Sequence, residues 1–280
     1  MMRATAPAKI NLALHVTGQR ADGYHLLDSL VVFTAFGDEV TLAPGAGLSL
    51  RVTGPQAAAL GAEGDNLILR AARLIGAGDV ALCLDKRLPV ASGMGGGSSD
   101  AATALRLLAQ AQGRPLPDTA ALMGLGADLP VCLAAPQPMR MRGLGEQLDP
   151  VPGVPPLWLL LVNPGVGLST PAVFKALAQK QNPPMPAHLP RWRDAPDLAR
   201  WLAGMRNDLE PPARALLPPV ATVLDTLAAQ PGCLLSRMTG SGATGVGLFA
   251  DDRACRAAAA ALSGQGWFVQ ATRSHGETRA

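Results

Sequence analysis

The sequence predicts an α+β fold in two domains. Segments with the two-residue period of strands are mixed with segments of helical period, and several of them resemble antiparallel hairpins. Prolines and glycines accumulate between residues 136 and 156, which indicates a domain junction. A chain of 280 residues can bury the core of one large or two modest domains. We therefore expect an N-terminal domain over 1–152 and a C-terminal domain over 153–280.

The N-terminal half is predicted to combine strands with three helices. From Ile10 to Val16, apolar and polar residues alternate with the period of a half-buried strand. Further strands are predicted over 30–33, 40–42, 48–52 and 80–84. Helices are predicted to begin near Leu67, with Asp65 as the capping residue, at Ser99 and at Thr119.

The C-terminal half continues the mixture of strands and helices. Strands are predicted over 157–162, 234–238, 246–249 and 267–271. Helices are predicted over 171–181, 216–229 and 253–262. The segment 183–196, rich in proline and tryptophan, is predicted to be a loop, and its pattern assigns it no role.

Composition excludes several classes of protein. Hydrophobic residues make up 48% of the chain and charged residues 16%, which favours a packed globule over disorder. A formal charge of +3 is too small for a nucleic-acid footprint, and no apolar run reaches the roughly 20 residues that a bilayer requires. The four cysteines are scattered, as in reduced proteins. We expect a cytoplasmic protein that binds neither nucleic acid nor membrane.

A glycine-rich loop followed by a strong helix is the clearest chemical signal. Glycines allow backbone N–H groups to approach phosphate oxygens, and the N-terminus of the following helix attracts the same anion. The loop lacks the lysine of a Walker motif and lies too far along the chain for a dinucleotide fingerprint. We therefore expect it to bind a nucleoside triphosphate rather than to be a flexible turn. It consists of Pro89, Val90, Ala91, Ser92, Gly93, Met94, Gly95, Gly96, Gly97, Ser98 and Ser99.

Three other segments carry residues that such a site could use. Lys9 and Asn11 have the same parity on the first strand, so both could face one cleft, although a lone strand lysine is usually a solvated charge. Asp128 lies in a Gly-Ala-Asp-Leu-Pro turn, where an aspartate is most often a turn or cap residue. A second glycine-rich turn covers 238–245 and could close over a ligand.

In this order, the segments resemble the GHMP small-molecule kinases. The resemblance covers nearly the whole chain and is carried by the runs 6–12, 20–25, 95–102, 126–131, 163–166 and 238–245. It implies an N-terminal domain like the second domain of ribosomal protein S5, a ferredoxin-like C-terminal domain, and an active site between them. It also implies that Lys9 and Asp128 are the catalytic pair. Asp128 would act as general base toward the substrate hydroxyl, while Lys9 would stabilise the transferring phosphoryl group.

The resemblance also implies the ligands. Tyr24, His25 and Phe174 match a cytidine pocket, which indicates an acceptor alcohol carried on a cytidine diphosphate. Further matches concern the rest of the acceptor (Asn11, Thr170), the adenine end of ATP (Asn66, Lys86) and a magnesium ion bound with ATP (Ser99). The alternatives are another GHMP kinase, acting on mevalonate, homoserine or a sugar, and a non-catalytic nucleotide-binding module. A monomer or weak homodimer is expected.

Overall fold

Two β-sheets organise the chain in the computed structural model, which describes residues 1–60 and 66–275. The first sheet is mostly antiparallel, in the order β3-β4-β2-β5-β6, with β1 paired to β2. Its strands are β1 (Met2–Gln19), β2 (His25–Pro44), β3 (Ser49–Thr53), β4 (Val80–Asp85), β5 (Met139–Gly143) and β6 (Gln147–Pro150). The predicted junction over 136–156 therefore contains a hairpin of the first sheet.

β1 and β2 form one long hairpin, which corrects the prediction of separate strands over 30–33 and 40–42. Polar Thr34 and Asp38 interrupt the alternation, but pairing resumes beyond them because a bulge lies between Pro7 and Lys9. Lys9 pairs with Phe33, and Pro7 pairs with Gly37. The bulge therefore allows β2 to remain continuous along β1.

The α-helices that cover the first sheet in the described part of the chain are α1 (Leu67–Leu74), α2 (Gly96–Gln112), α3 (Thr119–Leu125) and the unpredicted α4 (Leu129–Leu133). α1 and α2 pack their apolar faces against the strands, with Ile68 and Leu105 fully buried. Asp65 lies outside the described residues, and the side chain of Asn66 caps α1 by accepting from the Ile68 amide at 2.9 Å. α2 begins at Gly96, before the predicted Ser99, because Gly95 takes the left-handed conformation that precedes the helix.

The second sheet has the order β10-β7-β9-β8, with antiparallel neighbours. Its strands are β7 (Trp158–Asn163), β8 (Cys233–Met238), β9 (Gly245–Phe249) and β10 (Phe268–Arg273). The helices of this half are α5 (Thr170–Ala176), α6 (Ala195–Ala203), α7 (Glu210–Leu216), α8 (Pro219–Ala228) and α9 (Asp252–Leu262). Apart from the additional helices between the first two strands, the succession is the β-α-β-β-α-β of a ferredoxin-like domain. The expected ferredoxin-like C-terminal architecture is confirmed.

Three predicted boundaries of the C-terminal half are wrong. The helix predicted over 171–181 ends at Ala176, since the backbone is extended at Leu177. The helix predicted over 216–229 begins only at Pro219, as α8, because two prolines follow Leu217 and disfavour the helical conformation before them; Leu216 is the last residue of α7. The loop predicted over 183–196 gives way to α6 at Ala195.

One of the buried hydrophobic clusters joins the two sheets. Ile10 and Leu30 of the first sheet belong to the same buried cluster as Leu157, Leu159 and residues of α6. β1 also contacts the second half through its backbone, where Leu14 forms a parallel bridge with Asn207. No helix within the described ranges is both long and apolar enough to cross a membrane.

Candidate active site

A cavity of about 980 Å³ lies between the glycine-rich loop, β1, α5 and the second glycine turn. All of the site residues predicted from the sequence line it except Asn66, Met94 and Ser99. The segments that the sequence analysis connected only by resemblance therefore meet around one cavity.

The three residues that do not line the cavity are buried or cap a helix. Met94 is fully buried in the core, and its carbonyl oxygen accepts from the Lys9 amide at 2.9 Å. Asn66 caps α1, while the neighbouring Leu67 forms the cavity wall. Ser99 is fully buried, so the structure brings the hydroxyl-bearing residue Ser98, rather than Ser99, to the wall where a magnesium ion was expected.

The glycine-rich loop has a backbone that side chains would obstruct. Gly93 and Gly95 have φ angles of +77° and +62°. A Cβ atom on Gly95 would lie 3.2 Å from two side-chain carbons of Lys9. The loop therefore lies directly on the lysine, and it leads into the first amides of α2, a 17-residue helix whose N-terminus favours anions.

Lys9 and Asp128 form an ion pair at the cavity wall. Lys9 Nζ lies 2.7 Å from Asp128 Oδ2. The lysine side chain is 5% exposed and the aspartate side chain 34% exposed, so a ligand in the cavity can reach the carboxylate. Asp128 precedes α4 but makes no capping hydrogen bond with its side chain. Its carboxylate is therefore available for chemistry rather than used to begin the helix.

Lys86 lies beneath the start of α2. Its ammonium group contacts the carboxylates of Asp38 at 2.5 Å and Asp100 at 2.8 Å, and all three side chains are buried. Burial alone would lower the pKa of Lys86, but Asp100 and Asp38 outweigh it and raise that pKa. Burial also raises the pKa of Asp100 well above its ordinary value, although Lys86 opposes the shift. These contacts give Lys86 a structural role beneath the glycine loop.

An aromatic stack forms another part of the cavity wall. The rings of His25 and Phe174 are 4.8 Å apart with an interplanar angle of 26°. Tyr24 is 65% exposed at the rim. His25 Nε2 is buried and has no hydrogen-bond partner among the described residues. Burial, and then the charge of Lys180, lower the pKa of His25, which favours a neutral ring.

Asn11 and Thr170 also line the cavity. Asn11 Nδ2 donates to Ser29 Oγ at 2.7 Å, while Asn11 Oδ1 is buried and lacks a partner among the described residues. The hydroxyl of Thr170 lies 2.7 Å from that of Ser241. A polar ligand could satisfy the unpaired oxygen of Asn11.

The second glycine turn makes hydrogen bonds to both the glycine-rich loop and β1. The Thr244 amide donates to the Ser92 carbonyl at 3.2 Å, and the Asn11 amide donates to Thr239 Oγ1 at 2.9 Å. Sequence reasoning identified this turn but not its individual contacts. It also missed Lys175 and Lys180 on the cavity wall, since single lysines near a helix end carry no distinctive pattern.

Metal ligands are sparse among the described residues. No group of three or more histidine, cysteine, aspartate or glutamate residues there could hold a metal ion. Asp128 is the acidic residue of the described cavity wall, and Lys9 already contacts it.

Comparison with known proteins identifies the family. The model for the GHMP kinases N-terminal domain matches residues 66–134, and that for the GHMP kinases C-terminal domain matches 185–266. The chain is also 58% identical to 4-diphosphocytidyl-2-C-methyl-D-erythritol kinase of Cereibacter sphaeroides, over 99% of this chain and 100% of that protein. The chain belongs to the GHMP kinase family. This GHMP kinase is therefore a phosphotransferase, and kinase activity implies ATP as its phosphate donor.

Solved structures support the same assignment. A crystal structure of 4-(cytidine 5'-diphospho)-2C-methyl-D-erythritol kinase superposes on this GHMP kinase with a TM-score of 0.82 and 32% identity, covering 98% of this chain and 100% of that one. Homoserine kinase from Cytophaga hutchinsonii has a TM-score of 0.61 and 17% identity, covering 98% of this chain and 94% of that one, which shows a shared fold alone. The predicted GHMP kinase fold is confirmed.

Proposed function

We propose that this GHMP kinase transfers the γ-phosphoryl group of ATP to the 2-hydroxyl of 4-diphosphocytidyl-2-C-methyl-D-erythritol, a step of non-mevalonate isoprenoid biosynthesis. The observation that carries the proposal is one cavity holding both the Lys9–Asp128 ion pair and the His25–Phe174 stack. The first supplies the chemistry of transfer to an alcohol, and the second suits a flat heterocycle such as cytosine. The names of the relatives support the same substrate.

The ion pair provides the groups that deprotonation of an alcohol requires. Asp128 Oδ2 faces Lys9, so the second carboxylate oxygen is available to accept the proton of the substrate hydroxyl. The resulting oxygen nucleophile attacks the γ-phosphorus, and ADP leaves. The Lys9 ammonium orients the carboxylate and stabilises negative charge on the attacking oxygen and the phosphoryl group.

The glycine-rich loop positions the donor. Gly95 to Gly97 and the N-terminus of α2 line the cavity, where their backbone amides would hold the phosphates of ATP. A magnesium ion fits this wall when ATP and water supply most of its ligands, since Ser98 offers a hydroxyl oxygen there. Bound there, magnesium would neutralise phosphate charge.

The aromatic residues of the cavity wall would recognise the acceptor. Phe174 and His25 would contact a cytosine ring together with Tyr24, which is exposed at the rim and can close over the base. The neutral ring of His25 can both donate and accept hydrogen bonds at the base edge. Asn11 and Thr170 would contact the methylerythritol end or the diphosphate.

Turnover with different acceptors tests the substrate. We expect ATP consumption with 4-diphosphocytidyl-2-C-methyl-D-erythritol and little with mevalonate or homoserine, measured by coupled release of ADP. A preference for either of the other alcohols would reject the proposed acceptor. In the Asp128→Asn variant, kcat should fall by about 10²–10⁴-fold while acceptor binding stays within a few fold. Unchanged turnover would reject the general base.

Three other predictions remain proposals. We infer a division into domains at residues 152 and 153, on the support that the two sheets lie on either side of this point. Location in the cytoplasm is supported by the four free cysteines. A monomer or weak homodimer is proposed from the sequence alone.

A further inference from the structure

Asn207 supports the second glycine turn from outside the active-site cavity. Its side-chain Nδ2 donates to the carbonyl oxygens of Met238 at 2.8 Å and Gly240 at 2.9 Å. Its Oδ1 accepts from the Leu209 amide at 3.0 Å. Both hydrogens of the amide and its oxygen are therefore used, and the residue is 5% exposed. Asn207 itself does not line the active-site cavity.

The backbone around Asn207 is fixed to β1. The Leu14 amide donates to the Arg206 carbonyl at 2.8 Å, and the Asp208 amide donates to the Leu14 carbonyl at 2.9 Å. These bonds give the short segment 206–208 the pairing of a parallel strand beside β1. Asn207 is thus held against the same strand that carries Lys9.

The second glycine turn, which Asn207 supports, packs against the glycine-rich loop. A Cβ atom on Gly93 would lie 2.4 Å from the Thr239 carbonyl oxygen, so the two backbones touch. The Thr244 amide donates to the Ser92 carbonyl at 3.2 Å. With so little space between them, displacement of the turn must displace Ser92 and Gly93 as well.

We propose that Asn207 is a positioning residue for nucleotide binding. Its amide fixes the second glycine turn, and through that turn it fixes Ser92 and Gly93, which lead directly into the Gly95–Gly97 segment proposed to hold the phosphates of ATP. This inference rests on ATP as the phosphate donor of the proposed function. The chemistry requires an amide, because two carbonyl oxygens must be met by N–H donors and one backbone amide by an acceptor.

Two substitutions separate these requirements. Asn207→Asp keeps an acceptor for the Leu209 amide but turns a carboxylate oxygen toward two carbonyl oxygens. Asn207→Ser removes both donations without adding a charge. Asn182→Asp is the matched control, because Asn182 Nδ2 also donates to two backbone carbonyls, those of Val16 at 3.1 Å and Gln179 at 3.2 Å, away from the glycine turn.

The test is calorimetric binding of a non-hydrolysable ATP analogue, combined with hydrogen exchange of the folded proteins. We expect the Kd of the analogue to rise by about tenfold in both Asn207 variants, the effect of losing neutral hydrogen bonds. The amides of Gly242 and Thr244 should exchange faster in these variants. In the Asn182→Asp control, the Kd should stay within about twofold of the parent value.

Two results would overturn the inference. One is an unchanged Kd in folded Asn207 variants, and the other is an equal rise of the Kd in the Asn182→Asp control, which would indicate general destabilisation. If Asn207→Asp does not fold, the uncharged Asn207→Ser variant decides the question. Because binding is measured without an acceptor, failure of the parent protein to phosphorylate the cytidyl alcohol would reject the proposed substrate and leave this inference intact.

Discussion

Gly93 and Gly240 pack backbone against backbone, so closely that a Cβ atom on Gly240 would lie 2.4 Å from the Gly93 carbonyl oxygen. One glycine belongs to the loop before α2 and the other to the turn between β8 and β9. Both have positive φ angles, +77° and +55° respectively. The absence of a side chain at both positions is what allows the two turns to meet.

Substitution of Gly240 by alanine should weaken both stability and nucleotide binding. Strain at the positive φ and the contact with Gly93 should lower the free energy of unfolding by about 1–3 kcal/mol. The KM for ATP should rise several-fold. Gly124→Ala is the control, because that glycine lies in α3 with no positive φ and open space around it, so alanine should stabilise the helix. Equal behaviour of the two variants in thermal unfolding would contradict this account.

Substitution of Phe174 by leucine should act on the acceptor alone. Loss of ring stacking should raise the KM for the cytidyl substrate by about 5–150-fold, the equivalent of about 1–3 kcal/mol per stacked base, with kcat nearly retained. Phe36→Leu is the control, since Phe36 belongs to another aromatic pair, with Phe268 at 6.2 Å, outside the cavity. The measurement is steady-state kinetics with both variants. An unchanged KM for the cytidyl substrate in the Phe174 variant would argue against ring stacking on the acceptor.

Arg140 should contribute far more to stability than its neighbour Arg142. Arg140 makes two hydrogen bonds to the buried Asp28 carboxylate and also donates to carbonyls of the 185–187 segment. Arg140→Met leaves that carboxylate without its partner, which should cost about 3–5 kcal/mol. Arg142 pairs with exposed Asp149, and Arg142→Met should cost about 1 kcal/mol or less. Similar losses in denaturant unfolding would refute the distinction.

His15 should make the fold less stable at acidic pH. Its Nε2 accepts from the Arg206 amide at 3.0 Å, so the proton lies on Nδ1, which donates to the Pro183 carbonyl at 3.1 Å. Burial, and then the charge of Arg206, lower the pKa of His15 below 6.5. The unfolded chain therefore takes up this proton first as the pH falls. The stabilisation is complete above about pH 6.5 and is lost as the pH falls toward the lower folded pKa.

Thermal unfolding of the His15→Gln variant tests this effect. Glutamine offers a donor and an acceptor but does not titrate. When the pH is lowered from about 7.5 to about 5.5, the Tm of the parent protein should fall by about 2 °C more than the Tm of the variant. Equal falls in Tm would assign the acid sensitivity to other groups.

Sequence patterns predicted strands and local chemistry well, but they could not supply relationships across the chain. The alternation from Ile10 to Val16 predicted β1, and glycines followed by helix formers predicted the loop before α2. The pairing of Lys9 with Asp128 followed from resemblance alone, because the two residues are far apart along the chain. Helix α4 was missed because five residues carry too little periodicity to detect, and α7 was missed because two prolines lie in its first turn.

The roles of polar side chains that bind partners from distant elements were the hardest to predict. Asn207 lies in an ordinary polar stretch, and its importance depends on carbonyls that only the folded chain brings within reach. Lys86 was predicted to lie near the adenine end of ATP and does line the cavity, but its ion pairs with the buried carboxylates of Asp38 and Asp100 were not predicted. Neither arrangement has a spacing signature, since the partners come from different elements.

The hydrogen bond from Asn11 to Thr239 spans 228 residues and affects how the protein matures during translation. At a synthesis rate of 5–20 residues per second, roughly 10–45 s pass between the appearance of these two partners at the ribosome. We expect one side of β1 to remain uncovered in the nascent chain during this period. The binding cleft is therefore completed only after the turn between β8 and β9 has been made, and a chain released before that point would lack it.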